Sequence, residues 1–188
     1  MKDDFSSGDC GKLSQRAVSS KLQPIKKNQA EQIRKDASLI TRQFKCTKES
    51  FKPQETKGVR WLAPNADFYR FQQFLRTQKS DCPSMEEWLD WYENGIVFCG
   101  YMEAGNLRAF AAVIKKEQDD WELAEVQTLE AFRNRGFATA TCSFIASYAL
   151  NHRSEVTYSL DRESVAMEKI LAKLGYAEVF SKSSEQPN

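Results

Sequence analysis

Val126-Gln127-Thr128-Leu129-Glu130-Ala131-Phe132-Arg133-Asn134-Arg135-Gly136-Phe137-Ala138 reads as a strand end, a basic turn, one glycine and the first turn of a helix. The helix that follows is unusual: Gly136 to Leu150 holds no charged residue. Phe137, Thr141, Phe144, Ile145 and Tyr148 form one helical stripe, while Ala138, Cys142, Ala146 and Ala149 keep the adjacent side small. A helix apolar most of the way round is expected to be buried, here against a sheet. The strands on either side, Trp121 to Leu129 and Glu155 to Leu160, are joined by this helix and should therefore pair in parallel through a right-handed crossover. A helix start leaves backbone N–H groups unpaired and carries partial positive charge. Gly136 lets the backbone approach a ligand closely, Ala138 keeps the first helical turn small, and Arg133 and Arg135 add two full charges. Together these make a site for a pyrophosphate or similar dianion.

Working outward, the remaining elements alternate. Gly58 to Leu62 is a short strand candidate, and Asn65 or Asp67 can cap a helix that carries Phe68, Phe71, Phe74 and Leu75 on one side. Ser84 and Glu87 have capping-box spacing for a second helix with Trp88, Leu89, Trp91 and Tyr92, stopped by Asn94-Gly95. Ile96 to Met102 and Leu107 to Ile114 form a hairpin across Glu103-Ala104-Gly105-Asn106. Past the central helix and the strand 155–160, Arg162 to Leu174 is a helix ending at Gly175, a residue suited to a left-handed exit, and Tyr176 to Phe180 is a last strand. The class is α/β with a mixed sheet.

Composition sets the outer bounds. The chain has 188 residues with Lys plus Arg 27 against Asp plus Glu 26, which argues against a nucleic-acid binder whose whole surface is basic. No run is long and apolar enough to span a membrane, and the start MKDDFSSGDCGKLS lacks the apolar core of a secretory signal, so a cytoplasmic protein is expected. Five widely spaced cysteines (Cys10, Cys46, Cys82, Cys99, Cys142) fit neither a disulfide framework nor a metal knuckle, and Cys99 and Cys142 read as core. The single histidine, His152, reads as a polar helix exit. The first 55 residues hold 12 Lys or Arg against 7 Asp or Glu, and residues 1–57 are read as a basic extension, disordered through about residue 24 with a helix over 25–45 on which Ile33, Ala37, Ile40 and Phe44 share a side. The division expected is therefore 1–57, a domain over 58–181, and a disordered tail 182–188.

Residues 58–181 resemble the GNAT superfamily of acetyl-CoA-dependent N-acetyltransferases, FR47-like in type. The resemblance rests on the Val126-x-Thr128 strand end, the turn Arg133-x-x-Gly136-x-Ala138, and the close Tyr158-Ser159-Leu160-Asp161 followed by Ser164 through Tyr176. It implies the GNAT fold: a mixed, mostly antiparallel sheet with a central parallel strand pair flanked by helices. It also implies acetyl-CoA as co-substrate, with no metal. The turn amides from Arg133, Asn134, Arg135, Gly136, Phe137 and Ala138 to Thr139 would hold the pyrophosphate, and Val126, Gln127 and Thr128 would pair with the pantetheine arm. Ser164 stands where the family usually has an asparagine touching the cofactor.

By the same resemblance the activity is transfer of the acetyl group to a primary amine of a small molecule or protein, directly in a ternary complex. Such transfer needs a base for the amine, donors to the thioester oxygen and an acid for the thiolate. The strand amides near Val126 and Thr128 are the natural donors. Glu122, counted in steps of two back from Thr128, is the first candidate base, with Glu125 on the opposite face as second. Asp119, Asp120 and Glu122 could draw a cationic amine. Leu171 occupies the family's usual tyrosine position and Met167 its serine position, so Tyr158 or a water would have to protonate the thiolate; Tyr176 reads as core. A non-catalytic, CoA-binding regulatory module is the alternative, and an interaction role for the basic N-terminus a third. No nucleic-acid or membrane partner is expected. The chain ends soon after Phe180, which leaves room for a final strand from a second copy and hence a homodimer.

Overall fold

A computed structural model of the chain describes residues 42–115, 121–160 and 164–179. Expectations for residues 1–41, for Asp119 and Asp120, and for the tail 182–188 lie outside these.

The described residues build one seven-stranded sheet with helices on both faces. In chain order the elements are β1 (Arg42–Thr47), β2 (Val59–Trp61), α1 (Pro64–Thr77), α2 (Met85–Glu93), β3 (Ile96–Glu103), β4 (Asn106–Ile114), β5 (Trp121–Thr128), α3 (Phe137–His152), β6 (Glu155–Leu160), α4 (Val165–Leu174) and β7 (Ala177–Val179). The sheet order is β2-β3-β4-β5-β6-β1-β7. Only β5 and β6 pair in parallel, the crossover that the buried helix required.

The N-terminal side corrects the sequence reading. Residues 42–45, taken as the end of a helix, belong to β1, which runs antiparallel to β6 from Arg42↔Leu160 to Thr47↔Glu155 and antiparallel to β7. Phe44 and Cys46 are both buried while their neighbours are not, a period of two that a helix cannot supply. Arg42 locks the strand in place, reaching Glu178 (2.7 Å) and Glu168 (2.6 Å). The segment after β1 is tied in as well: Lys52 N–H donates to the Leu174 carbonyl (3.0 Å) and Gln54 N–H to Ser143 Oγ (2.9 Å). A division at residue 57 thus cuts across the sheet, with β1 seated between β6 and β7.

On one face, α1 and α2 cover an aromatic core. Phe68, Phe71, Phe74 and Leu75 of α1 are buried, and Trp88 of α2, with no exposed surface, stacks on Phe98 (centroids 4.9 Å) and donates from Nε1 to the Pro64 carbonyl (2.8 Å). Trp88 is therefore core. The expected side-chain cap of α1 by Asn65 or Asp67 is replaced by Ala63, followed by Pro64, whose missing N–H costs nothing at that position. Asp67 instead reaches back from inside the first turn, accepting from Ala63 N–H (2.9 Å) and from both Nη atoms of Arg60 (2.6 and 2.7 Å). The Arg60 hydrogen bonds hold its carboxyl down at about 2. α2 has the capping box read from its sequence, Glu87 N–H to Ser84 Oγ (3.1 Å) and Ser84 N–H to Glu87 Oε2 (2.8 Å).

On the other face lies α3, with Cys142, Ile145, Ala146 and Ala149 wholly buried against the sheet. Cys99 and Cys142 are core as expected, and burial pushes the Cys142 thiol up to about 12. His152 ends α3 exposed, its ring stacked on Trp121 (5.2 Å). Among the described residues no helix is long and apolar enough to cross a membrane.

Candidate functional site

β5 and β6 are hydrogen-bonded neighbours only from Trp121↔Val156 to Leu123↔Tyr158. Beyond Leu123 the two strands part, and the rest of β5 keeps only its β4 partner. A cavity of about 540 Å³ opens at this end of the sheet, between β5, the N-terminus of α3 and one side of α4.

The turn into α3 explains the shape. A single 3₁₀ turn, Glu130–Phe132, leads to Asn134 (φ 63°) and Gly136 (φ 83°), both left-handed. Gly136 is the N-cap of α3, and no side chain caps the helix. A Cβ at Gly136 would meet nothing within 4 Å, so this backbone faces open space. The first N–H groups of α3 are left without intrahelical partners, at the positive end of a 16-residue helix.

The cavity gathers most of the residues singled out in the sequence. Val126, Gln127 and Thr128 form its β5 wall. Arg133, Asn134, Gly136, Phe137, Ala138 and Thr139 form the α3 wall, and Ser164 stands at the start of α4. Arg135 does not line it: its guanidinium lies 5.0 Å from the centre of the Phe132 ring, which also carries Arg108 at 4.1 Å. Ser164 Oγ accepts from Met167 N–H (3.3 Å) and so caps α4 as well as facing the cavity. Thr128 Oγ1 is buried with no hydrogen-bond partner.

Sequence reasoning missed Gln78, Phe132, Ala166, Met167, Lys169 and Ile170, which complete the wall. The α4 residues were detectable: Ala166, Lys169 and Ile170 recur at helical spacing beside the core-facing Met167, Leu171 and Leu174. Gln78 carried no signal, since only folding brings the end of α1 beside β5, where its Nε2 donates to Gln127 Oε1 (3.3 Å).

Neither Glu122 nor Glu125 lines the cavity; both are half-buried on β5. The face argument for Glu122 fails because β5 is bulged. Ala124 pairs with Ala112 but Gln127 with Phe110, so two residues, Glu125 and Val126, oppose Ala111 alone. Glu125 takes φ 48° there. The extra residue shifts the alternation, leaving Glu122 on the side of Ala124 and Gln127, which faces α1 and α2, while Thr128 shares the α3 side. Leu171 is fully buried, and Tyr176 is buried with its hydroxyl unpartnered and its phenol held protonated by burial. Among the described residues no three His, Cys, Asp or Glu side chains gather as metal ligands.

Solved structures share this architecture. An acetyltransferase of the GNAT family from Colwellia psychrerythraea matches 73% of the chain at 16% identity with a TM-score of 0.59. A GCN5-related N-acetyltransferase from Sphaerobacter thermophilus matches 81% at 13% identity and 0.56. The chain has the GNAT fold. It spans 52% and 53% of those two proteins' own lengths. AAC(6')-Iy, solved with the bisubstrate analogue CoA-S-monomethyl-acetylneamine, shares the GNAT fold over 69% of this chain and 97% of its own, at 15% identity and a TM-score of 0.55. At these identities the likeness is one of fold. No protein-family model matches the chain, and no curated protein matches it significantly.

Proposed function

We propose that the chain is a GNAT-superfamily N-acetyltransferase that takes its acetyl group from acetyl-CoA. One observation carries this reading: an uncapped helix N-terminus at a bare glycine opens into the same cavity as a strand edge that its neighbour has abandoned. The two features match the two ends of one ligand, a pyrophosphate for the free N–H groups and an amide-bearing arm for the free strand edge. The residues present fit. Gly136 leaves the approach clear, no side chain competes for the α3 amides, and Thr128 Oγ1 lacks a partner. The amides from Gly136 to Thr139, with Arg133 and Asn134, would hold the pyrophosphate; Val126 to Thr128 would hold the arm. Bound there, acetyl-CoA supplies an activated acyl group as its thioester.

The bulge at Glu125 and Val126 turns the β5 backbone where the strand has lost β6, and the N–H groups near Val126 and Thr128 would serve as donors to the carbonyl being attacked. The amine would come from the α1–α2 side, opposite the cofactor wall. Glu122 lies on that side and is the first candidate to remove its proton, with Glu125 at the bulge second. Leu171 stands where the resemblance would have a tyrosine, so Tyr158 or water would supply the proton for the thiolate, a light demand for a thiol of pKa about 8.5. The analogue bound to AAC(6')-Iy makes a small-molecule amine the first acceptor class to try, ahead of a protein amine.

The wholly buried Leu171 also favours a second reading, CoA binding without transfer. Calorimetric titration with acetyl-CoA tests the site. Wild type should bind and Gly136→Asp should not, the aspartate placing a negative charge at the phosphates while tolerating left-handed φ better than most residues. Equal binding by both proteins refutes the assignment. Thiol release from acetyl-CoA, stimulated by a member of a broad amine panel, then separates transfer from binding alone.

A further inference from the structure

Among the described residues lining the cavity the charged ones are Arg133 and Lys169, with no described carboxylate beside them. Neither cation has an ion-pair partner among the described residues. They stand on opposite walls, Arg133 in the turn before α3 and Lys169 on α4. Two unpaired like charges facing one cavity repel each other unless an anion lies between them, and the amide cradle at Gly136 accounts for an anion only on the Arg133 side. Arg135, the other cation of that turn, is held over Phe132 and does not line the cavity.

On α4, Met167 is buried and Lys169 exposed, so Lys169 stands at the mouth of the cavity. A carrier whose acyl end lies along Val126 to Thr128 and whose pyrophosphate sits at Gly136 must project its nucleotide end toward that mouth. Of the charged groups of coenzyme A, the pyrophosphate already has its cradle, and the ribose 3′-phosphate does not. We infer that Lys169 binds the 3′-phosphate and makes the chain selective for free, 3′-phosphorylated CoA thioesters over carriers lacking that group. This rests on the acetyl-CoA reading of the cavity and adds a donor-specificity residue to it. Lys169 has the right chemistry: an ammonium on a long exposed stem is a point charge for phosphate, and α4 is anchored from its far side by Arg42 to Glu168.

The test compares CoA with 3′-dephospho-CoA by calorimetric titration at low ionic strength, where an exposed charge pair is least screened. Wild type should bind CoA about tenfold more tightly, one charge-assisted hydrogen bond's worth. Lys169→Gln should lose that advantage by weakening CoA and leaving 3′-dephospho-CoA unchanged, and Lys169→Arg should retain it. Equal affinities in wild type, or a Lys169→Gln protein weakened alike for both nucleotides, overturn the assignment while leaving the CoA site standing. Failure of wild type to bind either nucleotide overturns the acetyl-CoA reading and this inference with it.

Discussion

Two helix starts in this molecule are built in opposite ways. α2 is closed by its own sequence: the Ser84 hydroxyl and the Glu87 carboxylate satisfy each other's backbone N–H groups, and α1 is secured beside it by Asp67. α3 begins at Gly136 with no side chain at all, on the longest helix described. The first arrangement stabilises the fold and leaves nothing for a ligand. The second forgoes only about a few tenths of a kcal/mol relative to a side-chain cap and keeps several donors available at a positive helix end. The same contrast runs through the sheet. β1 fills the gap between β6 and β7, whereas β5 and β6 part and leave the gap between them open.

Each side of that contrast can be broken separately. The largest effect is expected from deletion of residues 1–57, which removes β1 and should abolish cooperative thermal unfolding; a retained cooperative transition would contradict the role given to β1. Next comes Gly175→Ala at the sealed C-terminus of α4. Gly175 has φ 88° and its Cβ would collide with the Ser50 carbonyl, so denaturant unfolding should show a loss of about 3 kcal/mol.

Asp67 gives a smaller, pH-linked effect. Its folded carboxyl titrates near 2, below the ordinary 3.8, so its contribution is present above pH 4 and lost as the pH falls toward 2. That contribution amounts to about 2 kcal/mol, and Asp67→Asn should flatten this part of the stability profile. Ser84→Ala should cost about 1 kcal/mol and leave acetyl-CoA affinity untouched, while Gly136→Asp should abolish that affinity. If both substitutions changed stability and neither changed binding, the functional difference between the two helix starts would disappear. For the candidate bases, Glu122→Gln should reduce turnover at neutral pH more than Glu125→Gln, read from pH–rate profiles; the opposite order would move the role to the bulge.

Much of the site was legible because it is local. A strand end, an arginine-bearing turn, a glycine and the start of an uncharged helix lie within 13 consecutive residues, so their juxtaposition follows from chain connectivity. The capping box of α2 and the hairpin at Ala104-Gly105, both left-handed in φ, were legible for the same reason. The misreading of β1 has the converse cause. Phe44 lies at helical spacing from Ile40 and at strand spacing from Cys46, and the choice between the two periods was made by β6 and β7, more than 100 residues away. The face assigned to Glu122 was misread for another reason: counting by twos along β5 is correct until a bulge adds a residue, and the bulge shows itself only in the register with β4.

The amino-acid sequence by itself determined the α/β class, the parallel crossover and the glycine turn that opens α3, since periodicity, capping and glycine conformation act over a few residues. Only the tertiary structure decided that an N-terminal strand completes the sheet, that Glu122 faces the α1–α2 side, and that Gln78 borders the cavity. Those outcomes depend on which distant segments share hydrogen bonds and buried surface, and no spacing along the chain encodes that partnership directly.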